Sequence, residues 1–180
     1  MTLKNLRIGL DIDDTLACFF DAYKVYFNTK KYPYRLKERN ITKNVVRVLK
    51  FDRNFWIDLA VKNRITFVPE LYCTSRVCNK LWTKEWLKRN NFPNSPVYQI
   101  YGHGVNKAKY IKGKVDIFID DSVLNFEMLN ASGVPCLLLD APHNQHWGHG
   151  GRIYSLNLDE ILEEYFLFKH SVLPHFKELI

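Results

Sequence analysis

Apolar residues gather in five short runs, at Arg7 to Asp13, Glu70 to Ser75, Val97 to Tyr101, Val115 to Asp121 and Val134 to Asp140, each bounded by polar positions. Short runs of this kind, without strict alternation, predict strands covered on both faces. Between them Cys78, Leu81, Trp82, Trp86 and Leu87 recur at helical spacing, and Val123, Leu124, Phe126, Leu129 and Asn130 do so less regularly. Strand followed by helix, repeated, predicts an α/β fold built on a Rossmann-like parallel sheet. The interval from Leu16 to Pro69 breaks the rhythm: Tyr23, Tyr26, Phe27, Tyr32, Tyr34, Phe51, Phe55 and Trp56 are spread through it with helix-like periodicity. It reads as a small helical cap at 19–65 inserted after the first strand, leaving 1–18 and 66–180 as the core. Leu158 to Phe168 reads as a closing helix, and Pro174 ends the assignment. No internal repeat or low-complexity tract interrupts the chain.

A length of 180 residues suits one domain with an inserted lobe. The chain has no uninterrupted apolar stretch of about 18 residues and no basic-then-apolar secretory start, so a soluble, cytoplasmic protein with no membrane partner is expected. Cys18, Cys73, Cys78 and Cys136 form no close pair, and two of them fall inside strand-like runs, which predicts reduced thiols. The net charge of +7 is unevenly placed. Residues 20–64 hold twelve Lys and Arg against four Asp and Glu, while the rest of the chain is nearly balanced. A basic, aromatic-rich lobe steers anionic partners, and it also serves as a solubilising surface.

The first run continues directly into acid: RIGLDIDDTLACF places Asp11, Asp13 and Asp14 within four residues. A strand through Ile8 to Ile12 turns Asp11 and Asp13 to the same side. Like charges held that close raise one another's pKa, and a site that keeps them ionised supplies a cation, which for hard oxygen ligands points to Mg²⁺. The alternative is a solvated strand end, or a helix N-cap at Asp13 or Asp14.

Two further strands also end in polar residues, Thr74-Ser75 and Asp120-Asp121. In an open parallel sheet the carboxyl ends of the strands converge on one crevice, so residues distant in sequence meet there. Asp11-Ile-Asp13-Asp14-Thr15, Thr74, Lys107 and Asp120-Asp121 resemble the four ordered motifs of the haloacid dehalogenase superfamily phosphatases, across most of the chain. A narrower likeness is to the 5′(3′)-deoxyribonucleotidase family, through Leu-Tyr-Cys-Thr74-Ser75 and Phe55-Trp56-x-x-Leu59, and Asp140-Ala-Pro-His-Asn144 with Arg152-Ile-Tyr-Ser-Leu156 resembles related nucleotidase-like proteins. The sequence departs from the better-known deoxyribonucleotidases at Asp14, where they place glycine, at Arg76, where they tend to have proline, and in a shorter cap.

The resemblance implies roles that the residue chemistry can fill. Asp11 is the nucleophile expected to form an aspartyl-phosphate, and Asp13 the acid and base. Mg²⁺ is expected on carboxylates of Asp11 and Asp121 and on the backbone carbonyl of Asp13. Asp120 orients the set, and Thr74 and Lys107 meet the charge on the phosphoryl oxygens. Lys109 and Lys112 are alternatives to Lys107, which is preferred for its place after the Gly102-His103-Gly104 turn and near a helix start. Thr74 alternatively ends a strand, and Ser75 is expected to cap the following helix or to join Arg76, Phe19, Phe55 and Trp56 in binding substrate. The aromatics are alternatively core. His143-x-x-His146-x-x-His149 has zinc-like spacing but lacks a Cys or acidic partner in its Gly-rich stretch, so a rim loop is expected.

The expected activity is Mg²⁺-dependent hydrolysis of a small-molecule phosphomonoester, a nucleoside monophosphate and in particular a deoxyribonucleotide. The alternatives are a polynucleotide-end phosphatase, with nucleic acid tracked by the basic cap, and a nucleotide- or nucleic-acid-binding module without turnover. The sequence carries no sign of oligomeric state.

Overall fold

The computed structural model describes residues 6–28, 47–101, 105–148 and 150–171. The expected positions Tyr32, Tyr34, Gly102-His103-Gly104, His149 and Pro174 lie outside these residues. Six strands form one all-parallel sheet: β1 (Ile8–Leu10), β2 (Leu71–Thr74), β3 (Val97–Gln99), β4 (Ile117–Asp120), β5 (Cys136–Leu139) and β6 (Arg152–Ile153). Their order across the sheet is β3-β2-β1-β4-β5-β6, the Rossmann-like arrangement. The five expected strands are all present and trimmed at their ends. The sixth, β6, was not expected, because two residues are too few to show a period.

Every residue of β1, β2, β4 and β5 is buried, which accounts for their apolar continuity. Register places Gly9 of β1 beside Phe118 of β4. A Cβ on Gly9 would lie 2.7 Å from Phe118 Cδ2 and 2.9 Å from Val115 Cγ1, so the packing between these two strands requires glycine.

The remaining elements are α1 (Phe19–Tyr26), a 3₁₀ turn (Leu49–Phe51), α2 (Arg53–Ile57), α3 (Lys80–Arg89), α4 (Ala108–Ile111), α5 (Val123–Ala131) and α6 (Leu158–Ser171). β2 and β3 run outward from β1 in one direction, and β4, β5 and β6 in the other. Right-handed crossovers therefore put α3 and α5 on opposite faces. Helix α3 starts at Asn79, whose side chain accepts from Leu81 N at 2.9 Å. The cap expected at Ser75 is thus displaced four residues, and Ser75 itself is exposed. Leu81 is also exposed, whereas Thr83 is buried because its hydroxyl donates to Gln99 Oε1 at 2.8 Å. No helix among the described residues is long and apolar enough to cross a membrane, and all four cysteines are free.

The segment expected as an insertion, 19–65, contributes α1, the 3₁₀ turn and α2, with 29–46 outside the described residues. Its return stretch fastens the loop after β1: Cys18 N donates to Ala60 O and Lys62 N to Leu16 O, at 2.9 and 2.8 Å. Lys62 Nζ reaches Asp14 O at 2.7 Å, and Asn63 Nδ2 reaches Thr15 O at 2.8 Å.

Candidate active site

In this strand order the chain reverses its direction of progress between β1 and β4, and a doubly wound sheet opens its crevice beyond the carboxyl ends of that pair. Asp11 follows β1, Asp120 ends β4 and Asp121 follows it. Asp11 N donates to Ile119 O at 2.9 Å, prolonging the ladder by one bond before the chain turns away. Asp14 sits in that turn at φ 58°, a left-handed conformation that Asp tolerates better than most residues through its short polar side chain. Its carboxylate accepts from Phe20 N at 3.1 Å in the first turn of α1, although the N-cap position of that helix is Cys18 and not Asp13 or Asp14.

Lys107, immediately before α4, is the cation at the centre. Its Nζ lies 2.6 Å from Asp11 Oδ1 and 2.6 Å from Asp120 Oδ2. Asp120 is held further by Ser122 N and Asn125 Nδ2, each 3.0 Å from Oδ1. Asp121 accepts from Thr15 Oγ1 at 3.0 Å and meets His143 Nε2 at 2.9 Å. Its carbonyl accepts from Asn144 Nδ2 at 2.9 Å, and Asn144 is fixed in turn by Arg152 Nη1 at 2.7 Å. On the β2 side, Thr74 Oγ1 lies 3.4 Å from Asp13 Oδ2.

Electrostatics follow from this crowding. Burial pushes the Asp11 carboxyl well above the ordinary 3.8, Lys107 pulls it back, and Asp120, Asp121 and Asp13 push it up again. Burial likewise raises Asp120 against the pull of Lys107. Burial and the neighbouring Asp121 raise Asp14. Asp121 moves the other way: burial works to raise it, but His143, Lys62 and Thr15 together outweigh that. Burial would lower Lys107, yet contact with Asp11 and Asp120 holds it above its ordinary value. For His143, burial is outweighed by the Asp121 carboxylate, so its pKa is raised.

Ligand oxygens of Asp11, Asp120 and Asp121 all lie within 4.8 Å of one another. A single ammonium cannot neutralise three carboxylates, and an all-oxygen set suits a hard divalent cation such as Mg²⁺. Asp120 has both oxygens engaged by Lys107, Ser122 and Asn125, Asp121 has Oδ1 on Thr15 and Oδ2 on His143, and Asp11 meets Lys107 through Oδ1. His143 bonds Asp121, and no cluster of three His, Cys or acidic groups that could hold a metal involves it among the described residues.

The expected set Asp11, Asp13, Thr74, Lys107, Asp120 and Asp121 is therefore brought together at one edge of the sheet. The expected substrate-facing residues are placed differently. Phe19 and Trp56 are buried and stacked on each other, with ring centroids 5.6 Å apart and planes 17° from parallel. Arg76 covers Trp56 as well, its Cζ 5.3 Å from the ring centroid. Phe55 is half-buried and meets Phe19 edge-on at 6.0 Å. Ser75 is exposed just beyond Thr74. Arg76 is 1% exposed and holds Asp13, with Nε 2.8 Å and Nη2 2.7 Å from Oδ1.

Thr15, Asn125, His143 and Asn144 were not expected in the site. Thr15 adjoins the first acidic motif and Asn125 lies five residues past Asp120, but nothing in a single sequence ties either to its partner. Compared with known proteins, the chain matches no family model and no curated protein.

Proposed function

We propose that this chain is a Mg²⁺-dependent phosphomonoesterase of the haloacid dehalogenase type, with residues 19–65 as a small helical cap, acting on nucleoside monophosphates and in particular deoxyribonucleotides. The observation that carries the reading is the convergence of six polar residues from three strand ends and one helix start. Their types are those that phosphoryl transfer through an aspartate requires.

Asp11 attacks phosphorus through a carboxylate oxygen, so an O–P bond to Asp11 forms as the bond to the leaving oxygen breaks. Asp13, in its acid form, gives its proton to that oxygen, and the alcohol departs. Asp13, now a carboxylate, takes a proton from water as the water attacks the aspartyl-phosphate, releasing phosphate and restoring Asp11. Thr74 and Lys107 donate to the phosphoryl oxygens, where charge accumulates. Asp120 keeps Lys107 in place from a fully buried position. Carboxylates of Asp11 and Asp121, with the carbonyl of Asp13, would hold Mg²⁺, which when bound polarises the phosphoryl group and screens the approach of one anion to another.

A screen of phosphorylated metabolites with and without Mg²⁺ tests the reading. Release of phosphate from nucleoside monophosphates, abolished by chelator, is the expected result. No release from any phosphomonoester overturns it. The surplus of cationic residues in 20–64 favours a second reading, a polynucleotide-end phosphatase. Polynucleotide binding would weaken steeply with rising salt, whereas a mononucleotide makes too few phosphate contacts for a steep slope.

A further inference from the structure

Arg76 is among the largest fully buried side chains of the protein, and it carries a charge. Its guanidinium lies between two indoles, 5.3 Å from the centroid of Trp56 in α2 and 5.2 Å from that of Trp86 in α3. One edge faces Asp13, where Nε donates at 2.8 Å and Nη2 lies 2.7 Å from the same oxygen without the alignment of a hydrogen bond. Nη1 has no hydrogen-bond partner among the described residues. A residue that merely filled the space between two indoles would be apolar, because a buried charge with an unsatisfied donor is costly. Arginine alone combines a flat cation that stacks on two rings with a fork that grips a carboxylate.

Both indoles are themselves hydrogen-bonded to backbone carbonyls of the 19–65 segment. Trp56 Nε1 donates to Leu49 O and Trp86 Nε1 to Leu59 O, each at 2.7 Å. Asp13 is only half-buried, so part of its side chain stays exposed while Arg76 holds Oδ1. Thr74, which the Arg76 backbone N–H meets at 3.3 Å, stands on the other side of the same carboxylate.

Building on the phosphatase reading, we propose that Arg76 is a positioning residue: it fixes the Asp13 carboxyl group beside Thr74 and, through the face of Trp56, makes that orientation depend on the inserted segment. Trp56 then serves the chemistry indirectly and does not stack on a base, since it is buried, with its ring stacked on Phe19 and met by the Arg76 guanidinium.

The test compares wild type with Arg76→Lys and Trp56→Leu on two baseless esters, an aryl phosphate and an alkyl phosphate, and on a nucleoside monophosphate, at saturating Mg²⁺ with melting curves alongside. Proton donation matters far less for the aryl leaving group. Both variants are expected to lose at least about tenfold more kcat on the alkyl ester than on the aryl one, with KM little changed. If Arg76→Lys does not fold, Trp56→Leu carries the same comparison. Equal losses on both esters, or no loss, overturn the inference, as does a Trp56→Leu defect confined to nucleotides. A wild type inert toward all three substrates overturns the phosphatase reading and this inference with it; an active wild type whose variants lose aryl and alkyl turnover equally overturns the inference alone.

Discussion

Replacing Lys107 by Met keeps the length and most of the volume of the side chain and removes its charge. The Lys107 side chain is 1% exposed and the Asp120 side chain fully buried, and Nζ sits 2.6 Å from both Asp11 and Asp120. Removing one member of a buried ion pair costs about 3–5 kcal/mol, because the remaining charge is left without compensation. Here two carboxylates lose their partner, which places the expected loss in the upper part of that range. For a chain of this size 1 kcal/mol corresponds to about 2–4 °C, so a loss of about 4–5 kcal/mol lowers Tm at pH 7 in chelator by roughly 8–20 °C. The deficit depends on pH with a definite sign. Asp11 and Asp120 already have folded-state pKa values raised above 3.8 with Lys107 present, and removing the ammonium raises them further. A raised carboxyl favours the folded state once protonated, and that contribution is lost as pH rises through the folded pKa. The gap between variant and wild type therefore narrows as the pH is lowered toward the ordinary carboxylate range. Melting curves at several pH values in chelator measure it. A Tm loss below about 2 °C, or a gap that does not change with pH, refutes the claim that Lys107 neutralises these two carboxylates.

Three other outcomes follow from particular contacts. Gly9→Ala drives a Cβ to 2.7 Å from Phe118 Cδ2 and is expected to cost about 1–3 kcal/mol by overpacking, read as a lower Tm; an unchanged Tm contradicts it. Asn144→Ala removes the amide that braces the Asp121 carbonyl and is expected to weaken Mg²⁺ binding about tenfold or more by calorimetry; unaltered affinity contradicts the bracing role. Burial pushes the Cys73 thiol up to about 12 and Cys78 to about 11, and it raises Cys136 well above 9.0, so a thiol reagent at pH 8 is expected to modify half-buried Cys18 first, the others only on unfolding; equal reaction at all four contradicts this.

The parts of this molecule that a single sequence discloses are those governed by local period and strand ends. Ile8–Leu10, Leu71–Thr74 and Ile117–Asp120 are buried on both faces, so their apolar continuity announces them, and the polar residues after them fall in the crevice by topology. What stayed hidden depends on partners far away in the chain. Thr15 meets Asp121 across 106 positions, and no period links them. Arg76 and Trp56 are expected to bind substrate, with core as the alternative for the aromatics; both are buried, and they meet each other while Arg76 also holds Asp13. An aromatic residue at helical spacing does not reveal which of its faces is covered. Asp14 also gives no sign in sequence that it takes φ 58° and accepts from Phe20 N. β6 escaped because two residues carry no pattern.

The central claim is that Asp11 carries the phosphoryl group during turnover. The direct measurement is mass spectrometry of protein quenched in acid while it hydrolyses an aryl phosphate with Mg²⁺, beside the Asp11→Asn variant. The account predicts one phosphoryl group on Asp11 in the wild type, lost when the substrate is exhausted, and neither label nor phosphate release in the variant. Phosphate released with no label on Asp11 at any quench time, or an active Asp11→Asn protein, would contradict it.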